Sequence, residues 1–125
     1  GSHMEWQNVS VVQFIREFAE RIHCAHVKGV QVIREHCRAG RLGGHRPMGH
    51  WTNGWNFVTA GTDRDANSLE EIFIELNRVG FDGAVSIEWE DNDAEQHAGA
   101  KIALANCHKA DQPPSGMRHD EMLKA

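Results

Sequence analysis

Two short apolar stretches carry polar side chains at a spacing that suits chemistry. In His23-Cys24-Ala25-His26-Val27-Lys28, extended alternation puts Cys24, His26 and Lys28 on one face and His23, Ala25 and Val27 on the other. In Ala84-Val85-Ser86-Ile87-Glu88-Trp89-Glu90 it groups Ala84, Ser86, Glu88 and Glu90 against Val85, Ile87 and Trp89. Active sites of parallel α/β folds lie at the C-terminal ends of the strands, and His26, Lys28 and Glu88 stand at those ends. One imidazole and one carboxylate facing a common cavity suit a divalent metal of borderline hardness, such as Mn²⁺, Zn²⁺ or Co²⁺. Lys28, one step further out, suits a substrate oxygen or phosphate.

The rest of the chain must position these residues. Val11, Val12, Phe14, Ile15, Phe18, Ala19 and Ile22 recur at helical spacing, which predicts an amphipathic helix over 11–22 with Ser10 or Asn8 as its N-cap. The first strand follows at about 22–27. Residues 29–64 read as a long Gly-rich connection, with a short helix over 30–39 ending at Gly40 and no period beyond it. Leu69, Ile72, Phe73, Leu76 and Val79 form the stripe of a second helix, capped by Ser68 and ended by Gly80. A strand over 84–89 and a helix over 94–107 follow, with Asp91-Asn92-Asp93 as the helix cap. Gln112-Pro113-Pro114-Ser115-Gly116 breaks the chain before a short docking helix over 117–124. Two strand-to-helix steps in this order predict parallel strands and an α/β fold.

Composition sets the outer bounds. Gly1-Ser2-His3 and Met4 read as an expression-tag remnant, which leaves about one small domain in a chain of 125 residues. A net charge of -5 with no basic stripe argues against nucleic acid as a partner. No apolar run reaches the ~18 residues of a membrane span. The odd count of three cysteines, without framework spacing, fits a reducing cytoplasm. His36, Cys37, His45 and His50 match no zinc-finger spacing with Cys24 and His26.

From Trp6-Gln7-Asn8-Val9-Ser10 through Arg21-Ile22-His23-Cys24-Ala25-His26-Val27-Lys28, the chain resembles the sugar phosphate isomerase/epimerase family, which are xylose isomerase-like TIM barrels. Gly43-Gly44-His45-Arg46-Pro47, Gly54-Trp55-Asn56-Phe57, Gly80-Phe81-Asp82-Gly83 and Ser86-Ile87-Glu88-Trp89-Glu90-Asp91 continue the likeness in order. The resemblance implies a metal-dependent isomerase or epimerase acting on a sugar or sugar phosphate. It gives His26 and Glu88 as metal ligands (Mn, Zn, Co or Mg) and Glu88 as a catalytic carboxylate. Such a carboxylate moves a proton beside a carbonyl. The family's remaining metal ligands come from strands that precede Trp6, so residues 5–111 correspond to the C-terminal part of such a barrel, and 112–125 to a tail. Gly29 stands where the family commonly has Asp, and Asn56-Phe57-Val58-Thr59-Ala60-Gly61 replaces its usual Arg and Pro-Gly.

The fold class expected is therefore α/β, a partial (β/α) TIM-barrel-like fragment with two parallel strands and flanking helices. Two adjacent parallel strands do not make a stable sheet alone, and open edges invite another copy, so completion by homo-oligomerisation or segment exchange is expected. Arg46 is a candidate phosphate contact, and Trp51 and Trp55 either stack on a sugar face or fill a hydrophobic hole. Three functions stay open: a truncated metal-dependent sugar isomerase, inactive alone or rebuilt by assembly; a non-enzymatic oligomeric protein; and a sugar-binding module.

Overall fold

The computed structural model describes residues 1–33, 40–42, 46–65, 69–114 and 116. They form a mixed α/β chain: α1 (Ser2–Glu5), α2 (Val11–Phe18), β1 (Cys24–Val27), β2 (Gly29–Val32), β3 (Trp55–Val58), α3 (Leu69–Arg78), β4 (Ala84–Ile87) and α4 (Gln96–Ala110). β1 and β4 pair in parallel, Cys24 opposite Ala84 through Val27 opposite Ile87. Glu88 N donates to Val27 O at 2.9 Å and carries the ladder one residue past β4. β2 and β3 form a separate two-stranded antiparallel sheet, Gly29 opposite Val58 through Val32 opposite Trp55.

This second sheet corrects the expectation of a long connection with a helix at its start. Gly29-Val30-Gln31-Val32 is a strand, and residues 34–39 lie outside the described residues. The period-2 signal was present in Val30/Val32 and Trp55/Phe57, but each run is four residues long, too short to outweigh a competing helical reading. The hairpin matters for the site because β1 runs into β2 with only Lys28 between them.

Local chemistry explains the helices. The Ser10 hydroxyl accepts from Gln13 N at 3.2 Å and starts α2 as expected. α2 ends at Phe18, and a 3₁₀ turn over Ala19–Arg21 leads into β1, so the helix is shorter than its apolar period. α3 closes at Gly80, whose φ of 75° is the left-handed geometry that glycine adopts without strain. Its predicted cap, Ser68, lies outside the described residues. α4 is capped by Glu95, whose carboxylate accepts from His97 N and Ala98 N. The Asp91-Asn92-Asp93 cluster is therefore not its cap. A carboxylate must sit beside the first free N–H groups to cap a helix, and Glu95 is the one that does.

Two apolar clusters hold the layers. Val27, Ala60, Leu69, Phe73, Ala103, Cys107 and Ala110 pack together with Ile87 against them, joining β1 and β4 to α3 and α4. Val11, Ile15 and Leu76 join α2 to α3, with Met4, Ile22, Ala25 and Phe81 against them. Beside the second cluster, Glu75 of α3 is 1% exposed. It accepts from Arg16 of α2 at 2.6 and 3.0 Å and from Arg78 at 2.5 Å. The Arg16 guanidinium holds the Glu75 carboxyl below the usual carboxylate range despite its burial. The residues set aside as a tag remnant are packed as well: Ser2 is buried and Met4 reaches the second cluster.

A groove of about 640 Å³ opens between α2 and β1, lined by Met4, Val11, Phe14, Ile15, Ala25 and Leu76 among others, and by no residue of β4. β4 is the strand partner of β1 among the described residues, so the other edge of β1 offers unpaired backbone groups. His23, expected in the helix layer, is exposed and borders this groove.

Candidate functional site

The parallel register places His26 opposite Ser86, and two residues further it brings Lys28 beside Glu88. Lys28 is the centre of the resulting cluster. Its side chain is 7% exposed, and its ammonium meets Glu88 Oε1 at 2.9 Å and Glu90 Oε2 at 2.7 Å. The same Nζ lies 3.8 Å from the centroid of the Phe57 ring on β3, a cation–π contact. Burial alone pulls the Lys28 amine down, but the hydrogen bonds and charges of Glu90 and Glu88 outweigh it and raise its affinity for the proton. Lys28 therefore stays an ammonium at neutral pH. The bond from Lys28 holds the Glu88 carboxyl below its usual range, with a further contribution from His26.

His26 Nδ1 is 3.7 Å from Glu88 Oε2, with both side chains more than half exposed. Such a pair is weakly coupled in water. The carboxylates of Glu88 and Glu90 thus face the solvent on one side and the buried Lys28 on the other. Burial lowers the proton affinity of the Gly1 α-amino group, and the charge of Glu88 only partly offsets this. Chemically, the cluster offers two ionised acceptors, one pinned ammonium donor and one imidazole at the ends of two adjacent strands. Vicinal hydroxyls with a neighbouring carbonyl or phosphate oxygen match that set of groups.

A divalent metal does not fit these residues as they are arranged. His26 and Glu88 supply two ligands, short of the roughly three protein ligands of a catalytic site. One oxygen of Glu88 and one of Glu90 are already bonded to Lys28. Among the described residues no group of three or more His, Cys, Asp or Glu side chains could hold a metal ion. His36, Cys37 and His45 lie outside the described residues.

Of the other candidates, Trp55 is near the cluster and two are not. Trp55 touches Phe57 edge-on at 5.2 Å, and Phe57 carries Lys28. Yet the face of Trp55 is taken: Trp6 stacks on it at 4.6 Å with the rings 4° from parallel. Trp51 is 73% exposed and stacks on His50. Arg46 is exposed in the same stretch. Neither enters the contacts of Lys28, Glu88 or Glu90 described above.

Trp6→Ala is expected to uncover Trp55. Tryptophan emission should shift to the red and become more accessible to acrylamide, with a stability loss of about 1 kcal/mol from the lost stacking. Unchanged emission would show that Trp6 does not cover Trp55.

Sequence reasoning passes over Phe57 and gives Asp91 a different role, as part of a helix cap. Phe57 sat in a segment read as loop, although the alternation Trp55-Asn56-Phe57 was a signal. Asp91 is buried, with its side chain 1% exposed. It accepts from Thr59 N at 2.8 Å, Thr59 Oγ1 at 2.9 Å, Arg64 Nη2 at 2.6 Å and Asp93 N at 3.0 Å. Trp89 Nε1 donates to Thr59 Oγ1 at 3.1 Å. This network ties the end of β3 to the segment that follows β4, and so holds Phe57 near Glu88 and Glu90.

No protein-family model matches the chain. It is 28% identical over 104 residues to a Bacillus subtilis (strain 168) protein named "Uncharacterized protein YfiH". The match covers 82% of this chain and 33% of that protein, so the chain spans about a third of the length of the curated relative. No helix among the described residues is long and apolar enough to cross a membrane.

Proposed function

We propose that this chain is a sugar- or sugar-phosphate-binding segment related to the C-terminal part of xylose isomerase-like barrels. The observation that carries the reading is the meeting of His26, Lys28, Glu88 and Glu90 at the C-terminal ends of the parallel pair β1 and β4. Helices α2, α3 and α4 flank that pair, with the β2–β3 hairpin between β1 and α3. In this reading Glu88 and Glu90 accept from sugar hydroxyls and Lys28 orients a carbonyl or phosphate oxygen. Glu88 takes up a proton in an isomerase-like reaction under the same reading. No step is routed through a metal, because the residues do not fit one.

Full enzymatic activity of the isomerase type needs groups on the side of the substrate away from β1 and β4. The unpaired edge of β1 and the groove along α2 favour a second copy as their source. An oligomer that is not an enzyme would use the same surfaces.

The test is titration of the wild-type chain and Glu88→Gln with a panel of aldoses, ketoses and their phosphates, followed by NMR. Light scattering on the same samples reports the assembly. Saturable shifts at Ser86 and Lys28, weakened about tenfold or more in Glu88→Gln, are expected. Equal binding by both proteins, or none by either, overturns the sugar site. A monomer at all concentrations overturns the assembly.

A further inference from the structure

We propose that Lys28 is the resident cation of this site, standing between Glu88 and Glu90 where a divalent ion would otherwise be held. Three observations converge on it. The ammonium bridges one oxygen of each carboxylate, at 2.9 and 2.7 Å. Its side chain is 7% exposed, while the carboxylates it bridges are 51% and 44% exposed, so the positive charge is the buried and positioned partner. The Phe57 ring 3.8 Å away supports a cation there from a third side.

Geometry keeps the ammonium in place. Lys28 lies between β1 and β2, and Gly29 directly after it is wedged against the Val58 carbonyl. The backbone at Lys28 is therefore fixed by both sheets, and its side chain enters the cluster from beneath. A metal ion binding Glu88 and Glu90 would have to displace a desolvated ammonium from two carboxylates, or sit beside it and bear the repulsion of like charges. His26, 3.7 Å from the free oxygen of Glu88, is the third group such an ion would need. Lys28 thus gives the cluster a fixed positive charge of its own, and the two carboxylates it partly neutralises favour hydroxylated ligands, whose O–H groups they accept from, over metal ions. The inference deepens the sugar-site reading and shares its residues, yet it is tested without any sugar.

The experiment is calorimetric titration of Co²⁺ and Mn²⁺ into the full chain, with the visible absorption of Co²⁺ reporting its ligands. Wild type is compared with Lys28→Met, with Lys28→Arg and with Lys28→Met/Glu88→Gln. Lys28→Met is expected to bind Co²⁺ at least about tenfold more tightly than wild type. The double variant should lose that gain, and Lys28→Arg, which keeps a cation, should behave as wild type. Stoichiometric Co²⁺ binding by wild type that Glu88→Gln abolishes overturns the inference. So does a folded Lys28→Met protein with no gain. Should Lys28→Met fail to fold, wild type decides: a Lys28 side-chain NH₃⁺ resonance that persists unbroadened under saturating Co²⁺ supports the proposal, and its loss overturns it. Sugar binding that fails while these results hold would sink the sugar reading alone.

Discussion

Asp91→Asn is expected to destabilise the fold by about 3 kcal/mol, measured by urea denaturation at neutral pH. The substitution keeps the shape of the side chain and removes its charge. The buried carboxylate receives four hydrogen bonds, from Thr59 N, Thr59 Oγ1, Arg64 and Asp93 N. An amide reproduces at most part of this, because its nitrogen cannot accept from any of those donors. Arg64 retains Asp93 at 2.9 Å, so it is not left wholly unpaired, which places the loss at the lower end for broken buried pairs. Since a small domain has only about 5–15 kcal/mol in total, the variant should unfold at distinctly lower urea. A loss under about 1 kcal/mol would show that the network does not tie β3 to the segment after β4.

The pH dependence of that gap is a sharper check. Desolvation pushes the Asp91 carboxyl up, but the Thr59 and Asp93 N–H groups, the Thr59 hydroxyl and Arg64 together hold it below the usual range. A group whose folded value is depressed contributes its stability above its unfolded value of about 4 and loses it as pH falls through the folded value. Wild type should therefore exceed Asp91→Asn by the full amount above about pH 5, and the two should converge as pH falls below about 4. Other carboxylates titrate alike in both proteins and cancel in the comparison. A gap that is constant to about pH 2 would locate the effect in packing rather than charge.

Gly29→Ala is expected to cost about 3 kcal/mol, at the upper end for an overpacked position. A Cβ at Gly29 would lie 2.5 Å from Val58 O and 3.0 Å from the Ala60 backbone. These are main-chain atoms of the opposing segment, so no side chain can rotate away, and the β2–β3 pair must open at its first register position. Phe57, one residue before Val58, should then withdraw from Lys28. The variant should show weakened near-ultraviolet dichroism from its tryptophans along with its lower urea midpoint. Wild-type stability in Gly29→Ala would mean that the two strands separate at no cost. Gly80 offers a control: among the described residues no atom beyond its chain neighbours lies within 4 Å of an added Cβ, so the cost there is that of its φ of 75°.

How much was legible without the structure differs by element. The amphipathic period of residues 11–22 found α2, and that of residues 69–79 found α3, because burying one apolar stripe is a local pattern with a global cause. Alternation correctly grouped His26 with Lys28, and the turn after α3 located β4. Chain order and strand type are enough to anticipate that β1 and β4 run parallel, and their register sets Cys24 to Val27 against Ala84 to Ile87. The candidate pair Lys28 and Glu88, 60 residues apart, follows from that pairing.

The tertiary structure alone decided what those residues do to one another. Alternation puts Lys28 on the face of His26 as a donor for a substrate oxygen or phosphate, but packing buries it and spends two of its three N–H groups on Glu88 and Glu90. Trp55 reads from sequence as either a platform for a sugar or a plug in a hydrophobic hole; Trp6, 49 positions away in the chain, covers its face. Asp91 read as a helix cap, because Asp before a helix usually is one; Glu95 took that role, and Asp91 turned inward to Thr59 and Arg64. In each case the residue type and its neighbours in sequence define what a side chain is able to bond. Which partner it meets depends on segments tens of residues away, brought close by the burial of the two apolar clusters, and no local period encodes that meeting.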